Sequence, residues 1–377
     1  MELKFTTETI LPALSQVAMV VNQKTSLPIL ADVLFDCRKD NIVLTTSDSE
    51  IWLSIAVSNV TCEQEARFCV NAQDILRALK NLDNKEVSIL LDEPSHTITC
   101  DYGNGRFKMP FNDAKDFPVA SHNMDDAKER FIDSKRILVA LDKVGFSTAN
   151  EDLRPIMNGI HFDFFPDGLV CVATDGCKLT KYCDKMITHN GIEGNVPTFT
   201  LPKKPANILS SILSNTVNEV RLCFNGRAAT FSNRDFKLVT SLLEGRYPNY
   251  NSVIPKESKY TVTISKDNIT QAIKRVMPMG NVNSELLSMC FKKGWVEVSA
   301  EDIDFAKSAH ESVLCDYDIE DSLAIGFKGS VLLDMFRNID DDYVVIELLA
   351  PTRPVVIYSQ STPKDEYLSL VMPMQLN

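Results

Sequence analysis

The feature that most constrains this chain is a sequence that repeats itself three times. Asp32-Val33-Leu34-Phe35-Asp36 is matched by Gly159-Ile160-His161-Phe162-Asp163, 127 residues further on, and by the fainter Met289-Cys290-Phe291. Each is followed by an alternating segment that ends in small and acidic residues: Val43 to Asp48, Val170 to Asp175, and Val296 to Asp302. Later in each unit a short helical pattern (Ile75 to Lys80, Ile208 to Leu213, Val331 to Phe336) leads into paired alternating segments, Glu86 to Tyr102, Glu219 to Ser232 and Tyr343 to Ser359. Units one and two then close alike, on Asp116-Phe117-Pro118 and Arg246-Tyr247-Pro248. Solenoid repeats have periods of about 20–50 residues, so units this long read as three copies of one whole domain. Polar, proline-containing stretches place the domains at 1–121, 128–254 and 258–377.

Each unit opens on a helix. Ile10, Leu14, Val17, Ala18 and Val21 form a helical stripe over Thr9 to Asn22, with Pro12 expected in the first turn. Ser134 is placed to cap a stripe of Ile137, Leu138, Leu141 and Val144 that stops at Gly145. Ser265 is placed to cap Ile269, Ala272, Ile273 and Val276, and Pro278 ends that pattern. Most other segments alternate with period two, and Asn225-Gly226 predicts a hairpin turn. No strand–helix–strand alternation of the parallel kind recurs. The fold class is therefore α+β: three copies of a helix–strands–helix–strands domain with antiparallel sheet.

The chain is 44% hydrophobic and 24% charged, which fits a globular protein and excludes a disordered or fibrous one. No apolar run reaches the roughly 20 residues that cross a bilayer, so no membrane partner is expected. The N-terminal segment lacks a charged region followed by an apolar core, so no secretory leader is expected. The ten cysteines include no C-x-x-C pair and read as mostly buried thiols of a reducing compartment, the cytoplasm.

The catalytic inventory is sparse. There is no phosphate-binding G-x-x-x-x-G-K-[ST], no G-x-S-x-G and no H-E-x-x-H, and Gly103-Asn104-Gly105 reads as a turn. His96, His122, His161, His189 and His310 show no ligand spacing and read as structural or surface residues. Asp125-Asp126 and Asp340-Asp341-Asp342 read as solvated turns, so no metal and no cofactor are expected. Cys177 beside Lys178 admits a nucleophile, but the matching turn of the first unit, Thr46-Ser47-Asp48-Ser49, has no cysteine, which favours architecture over chemistry. Charge is more informative. The helical stretches 8–24, 71–81, 133–145, 203–214, 266–279 and 328–338 carry an excess of seven positive charges, so the rest of a chain of net charge −12 carries −19. Repeated domains with helices on a common side would offer phosphates a sequence-blind positive surface.

Lys24-Thr25-Ser26-Leu27-Pro28-Ile29-Leu30, Arg154-Pro155-Ile156-Met157-Asn158-Gly159, Ala173-Thr174-Asp175-Gly176, Glu244-Gly245-Arg246-Tyr247-Pro248-Asn249-Tyr250 and Val371-Met372-Pro373-Met374, in this order on a triple repeat, resemble the bacterial DNA polymerase III beta subunits, the sliding clamps. The resemblance covers essentially the whole chain. It implies a non-catalytic clamp: a head-to-tail homodimer closed into a ring, helices inside and antiparallel sheets outside, around double-stranded DNA. Such a ring tethers the replicative polymerase and so confers processivity. By position it makes Lys24, Arg77, Lys80, Lys203, Lys204, Lys274 and Arg275 candidates to face DNA. It implies a pocket between the second and third domains for the short apolar motif of polymerases, clamp loader and repair proteins. The matching residues are Met157, Thr174, Gly176, Cys177, Lys178, Leu179, Pro248, Val253, Leu370, Met372, Pro373 and Met374. Methionines suit varied ligands, although Val371 to Met374 alone also reads as a terminal strand packed on its sheet. The resemblance further sets Phe107 and Met109 against Pro278 and Met279 of a partner copy. This chain departs from the family in Cys177-Lys178, where His-Arg is common and supplies a planar bidentate donor, and in Pro278, where a plain aliphatic residue is common. Two other readings stay open: a hydrolase using Asp175 or Cys177, and a clamp-like adaptor that does not dimerise.

Overall fold

The computed structural model describes residues 1–22, 24–120, 124–150, 153–188, 197–318 and 320–376. Its α-helices are α1 (Thr7–Val17), α2 (Ala72–Lys80), α3 (Ser134–Gly145), α4 (Lys203–Leu213), α5 (Lys266–Val276) and α6 (Gly329–Arg337), two per repeat. Every sheet pairing is antiparallel. The repeated landmarks occupy equivalent strands: Asp32–Arg38 with Asn41–Ser47, Gly159–Phe165 with Gly168–Thr174, and Leu286–Lys292 with Trp295–Asp302.

By its contacts the chain forms two compact units that cut across the repeat: residues 1–138 with 204–244, and residues 139–203 with 245–377. The first unit holds a five-stranded sheet ending at Arg106–Pro110, and a nine-stranded sheet. In the nine-stranded sheet Ile51–Ser58 of the first repeat pairs with Phe236–Ser241 of the second, in the register Trp52 to Val239. The second unit holds twelve strands, and there Lys178–Asp184 of the second repeat pairs with Tyr367–Val371 of the third, Leu179 opposite Leu370. The same join between consecutive repeats thus occurs once in each unit. Helices cover the sheets with their apolar stripes. α2 buries Ala72, Ile75, Leu76 and Leu79 and leaves Asp74, Arg77 and Lys80 exposed.

Several sequence expectations need correction. α1 begins two residues earlier and ends five earlier than its stripe suggested, because Thr6 supplies the cap: its Oγ1 accepts the Thr9 N–H at 3.3 Å. Pro12 consequently lies inside the helix rather than in its first turn, on the exposed face, where the carbonyl it leaves unmatched meets water. Ser134 does not cap α3 but is its first residue. Its buried hydroxyl donates to the Thr216 carbonyl at 2.9 Å, while Asp133 Oδ1 accepts the Lys135 N–H at 2.8 Å. The turn at Asn225-Gly226 is built by the Asn225 side chain, whose Oδ1 accepts the N–H groups of Arg227 and Ala228, both at 2.9 Å, with no left-handed glycine. Of the ten free cysteines five are buried, four half-buried, and Cys177 exposed, so the thiols are less uniformly interior than expected. The acidic run at 340–342 lies in a bend with Asp340 and Asp342 exposed, as expected, but two of its carboxylates are partnered. Asp340 pairs with Lys143 at 2.7 Å, and Asp341 accepts the Ser359 hydroxyl and the Ser361 N–H, which hold its carboxyl well below the usual range. His161 is buried against Tyr247, whereas His122 and His189 lie outside the described residues.

Candidate functional site

The join in the second unit brings most of the candidate groove residues together. Strands Gly168–Thr174 and Lys178–Asp184 meet in a turn written by its own residues. Asp175 Oδ1 accepts the Cys177 and Lys178 N–H groups at 2.9 and 2.8 Å, and Thr174 Oγ1 accepts the Gly176 N–H at 3.1 Å while donating to the Lys178 carbonyl at 2.7 Å. Gly176 sits at φ +90°, in the left-handed region that a side chain disfavours. The Lys178 ammonium lies 3.7 Å from Asp175 Oδ2 and over the Phe146 ring. Asp175 is therefore engaged in shaping a turn and in pairing with Lys178, and Cys177 stands exposed on it.

Below this turn Leu179 and Leu370 enter one apolar cluster with Val170, Val172, Tyr247, Tyr250, Val356 and Leu368. A buried polar chain fixes the two tyrosines. His161 stacks on Tyr247 with centroids 4.4 Å apart, its Nε2 is 3.1 Å from Asp163 Oδ1, and the Tyr250 hydroxyl donates to Asp163 Oδ2 at 2.7 Å. Burial raises the phenol pKa of both tyrosines, and the Asp163 carboxylate adds to the effect at Tyr250. The C-terminal segment is pinned at two points: the Met372 N–H donates to the Cys177 carbonyl, and the Met374 N–H to the Gly326 carbonyl, each at 2.8 Å.

An open groove of about 750 Å³ lies beside the pinned segment, with Ser252, Val253, Ile254, Leu349, Pro354 and Met372 among its walls. Of the candidate residues, Val253 (50% exposed) and Met372 (42%) line it directly. Leu179 and Leu370 form the packed layer behind, Met157 and Thr174 are buried, Pro248 is exposed next to Tyr247, and Pro373 and Met374 are half-buried. Ile254, Leu349, Arg353 and Pro354 escaped the sequence reading. Only the apolar and proline content around Leu349 and Pro354 hinted at them, and nothing local linked that loop to Val253.

The candidate cations fall into two groups. Arg77, Lys80 and Lys274 are exposed on helices, and among the described residues their side chains make no ion pair. The others are engaged. Lys204 reaches Asp48 Oδ2 and the Val20 carbonyl, both at 2.6 Å; Arg275 grips Glu311 through two nitrogens at 2.8 and 2.5 Å; Lys203 reaches Asn150 Oδ1 at 2.9 Å. Lys24 lies in the turn after α1, not on the helix.

Several strand edges are open among the described residues, Lys128–Asp133 and Thr198–Pro202 included, and two others carry the candidate interface residues. Arg106–Pro110, which carries half-buried Phe107 and Met109, pairs only with Thr97–Asp101. Strand Lys307–Asp316 pairs along one side with Trp295–Asp302, but on its other side only Cys315 and Asp316 have partners. The 3₁₀ turn Met277–Met279 packs against that strand and exposes Pro278 and Met279. No three His, Cys, Asp or Glu side chains among the described residues converge as metal ligands, and no helix is long and apolar enough to cross a membrane.

Three family models of the DNA polymerase III beta subunit match the chain in succession: the N-terminal domain over 1–121, the central domain over 131–249 and the C-terminal domain over 251–375. The beta sliding clamp of Caulobacter vibrioides is 24% identical with both chains fully covered, and that of Streptococcus pneumoniae is 23% identical over 97% of each. Among solved structures, the DNA polymerase III subunit beta of Pseudomonas aeruginosa bound to griselimycin superposes over both full chains with a TM-score of 0.91 at 23% identity, and that of Thermotoga maritima with 0.89 at 22%.

Proposed function

The chain belongs to the DNA polymerase III beta-subunit family, the sliding clamps, which are non-catalytic processivity factors, and we propose that it works by closing with a second copy into a ring around duplex DNA. The observation that carries the ring is that two of the open strand edges hold the candidate interface residues. Arg106–Pro110 of one copy extends the sheet at Lys307–Leu314 of the other, with Phe107 and Met109 covering Pro278 and Met279. Two such joins, head to tail, close the assembly and remove both edges.

A closed ring needs no strong grip on DNA. Arg77, Lys80 and Lys274 make the sequence-blind phosphate contacts, and Lys24, Lys203, Lys204 and Arg275 contribute more weakly because they are spent on protein partners or set off the helices. The groove beside Val253 and Met372 takes the short apolar motif of the replicative polymerase, clamp loader and repair proteins, and the turn of Gly176, Cys177 and Lys178 is tied to its wall through the Met372 N–H to Cys177 carbonyl bond. The repeats act as domains over 1–121, 128–254 and 258–377, and work on DNA places the protein in the cytoplasm.

Topology is the decisive test. Loaded by a cognate loader with ATP and held in moderately high salt, the protein stays on circular plasmid and is lost when the plasmid is linearised. Equal retention on both forms overturns the ring, since phosphate contacts weaken with salt but do not depend on DNA ends.

A further inference from the structure

We propose that the first compact unit carries a second docking groove, an internal copy of the one in the second unit, which takes a short acidic and apolar segment of a partner protein. The repeat supplies the correspondence. Val43, Thr45 and Trp52 stand 127 residues before Val170, Val172 and Leu179 of the cluster packed behind the second unit's groove, and Phe117-Pro118 closes the first repeat as Tyr247-Pro248 closes the second. The register completes it: Trp52 faces Val239 across the join, as Leu179 faces Leu370.

At that join lies a cavity of about 290 Å³, floored by Leu34, Val43, Trp52, Phe117 and Val239. The Trp52 indole N–H donates to the Pro118 carbonyl at 3.4 Å and holds the closing segment over the strand, leaving Val119 85% exposed at the mouth. The volume lies just under the range of small-molecule pockets, about 300–1,000 Å³, and suits one or two side chains.

The rim selects the occupant. It carries Arg38, Arg67 and Lys237, all exposed, against the single carboxylate of Asp36, which lies 3.7 Å from both arginines. In a chain of net charge −12 this local excess of two positive charges favours carboxylates beside the apolar anchor. A second copy is placed by the proposed ring at Arg106–Pro110 and Lys307–Leu314 instead, and a nucleic acid finds the Trp52 ring buried rather than open for stacking. The choice of a peptide as ligand rests on the reading of the second unit's groove as a motif pocket.

Trp52 is one of two tryptophans, so Trp295→Phe leaves it as the sole indole reporter. The full chain is titrated with the peptide acetyl-Asp-Leu-Asp-Phe-amide. The expected result is a saturable change in Trp52 emission, weakened about tenfold by Arg67→Glu with Lys237→Glu, consistent with the reversal of two exposed charges. Val253→Glu, in the other groove, leaves this change intact. Anisotropy of the labelled peptide on the chain with both tryptophans gives two sites per chain and needs no reporter variant. One site that disappears with Val253→Glu overturns this inference and leaves the second unit's groove standing. No binding at all sinks both. An emission change indifferent to the rim charges, one that appears on raising protein concentration without peptide, or one that a short DNA duplex competes away also overturns it.

Discussion

At the scale of single residues, two chemical devices set testable limits. Gly176 adopts φ +90° in the turn that carries Cys177 and Lys178, and a Cβ there meets nothing nearer than Arg154 Nη1 at 3.9 Å. Gly176→Ala is therefore free of clash and bears only the backbone penalty of the left-handed region, about 1–2 kcal/mol. A fall in urea midpoint of that size checks it, and an unchanged midpoint removes the strain argument. The thiols give the second limit. Burial pushes Cys69 and Cys100 up to about 12 and raises Cys171 well above its ordinary value, whereas Cys177 is exposed. Native protein at mildly alkaline pH should react with one equivalent of a thiol reagent quickly, at Cys177, and lose that phase in Cys177→Ser. The linkage sign follows. A thiol whose folded value is raised contributes stability that is complete below its ordinary value of 9.0 and is lost as pH climbs from there toward 12. The urea midpoint should fall over that window, and a flat profile contradicts the buried placement of these groups.

At the scale of elements, the strands were legible because alternation and Phe-Asp landmarks are local properties, and so were the basic helix faces. The helix ends were less so. Thr6 outcompeted the apolar stripe in setting the start of α1, and Asp133 rather than Ser134 took the cap of α3. What no local pattern carried is the join between repeats. Leu179 meets Leu370 across more than half the chain, and the groove beside it recruits Leu349 and Pro354 from a loop with no regular period. The C-terminal segment beyond that join has a tight point at Gly326 of the third repeat, where a Cβ would fall 2.5 Å from the Met374 carbonyl oxygen. Gly326→Ala must push the C-terminal segment off its strand, at an overpacking cost of about 1–3 kcal/mol. Peptide binding at the Val253–Met372 groove should weaken with it; undiminished binding would separate the groove from the pinned segment. The open edges make a different demand. Met109→Asp puts a carboxylate in a half-buried apolar position on the edge strand, so sedimentation should give dimer for the parent and monomer for the variant, with the thermal midpoint of the monomer retained.

At the scale of the whole molecule, net charge and helix charge pull in opposite directions, and the balance predicts how DNA is held. An acidic chain of net charge −12 repels phosphate at long range, so attraction must come from the few cations left unneutralised on helices. Arg77, Lys80 and Lys274 are among those cations, while Lys204 and Arg275 are held by Asp48 and Glu311. Reversing Arg77, Lys80 and Lys274 to glutamate should lower affinity for a short duplex and flatten its salt dependence, by up to about 0.9 in the log–log slope for each phosphate that is no longer neutralised. Reversing Arg275 alone should do less to DNA, because its charge is already set against Glu311, and should cost only the small stability of an exposed pair. Retention on circular DNA after loading should survive the triple reversal far better than short-duplex affinity does, because linkage rather than attraction keeps a closed ring in place. Parallel loss of both would mean that the charges, not the closure, hold the DNA.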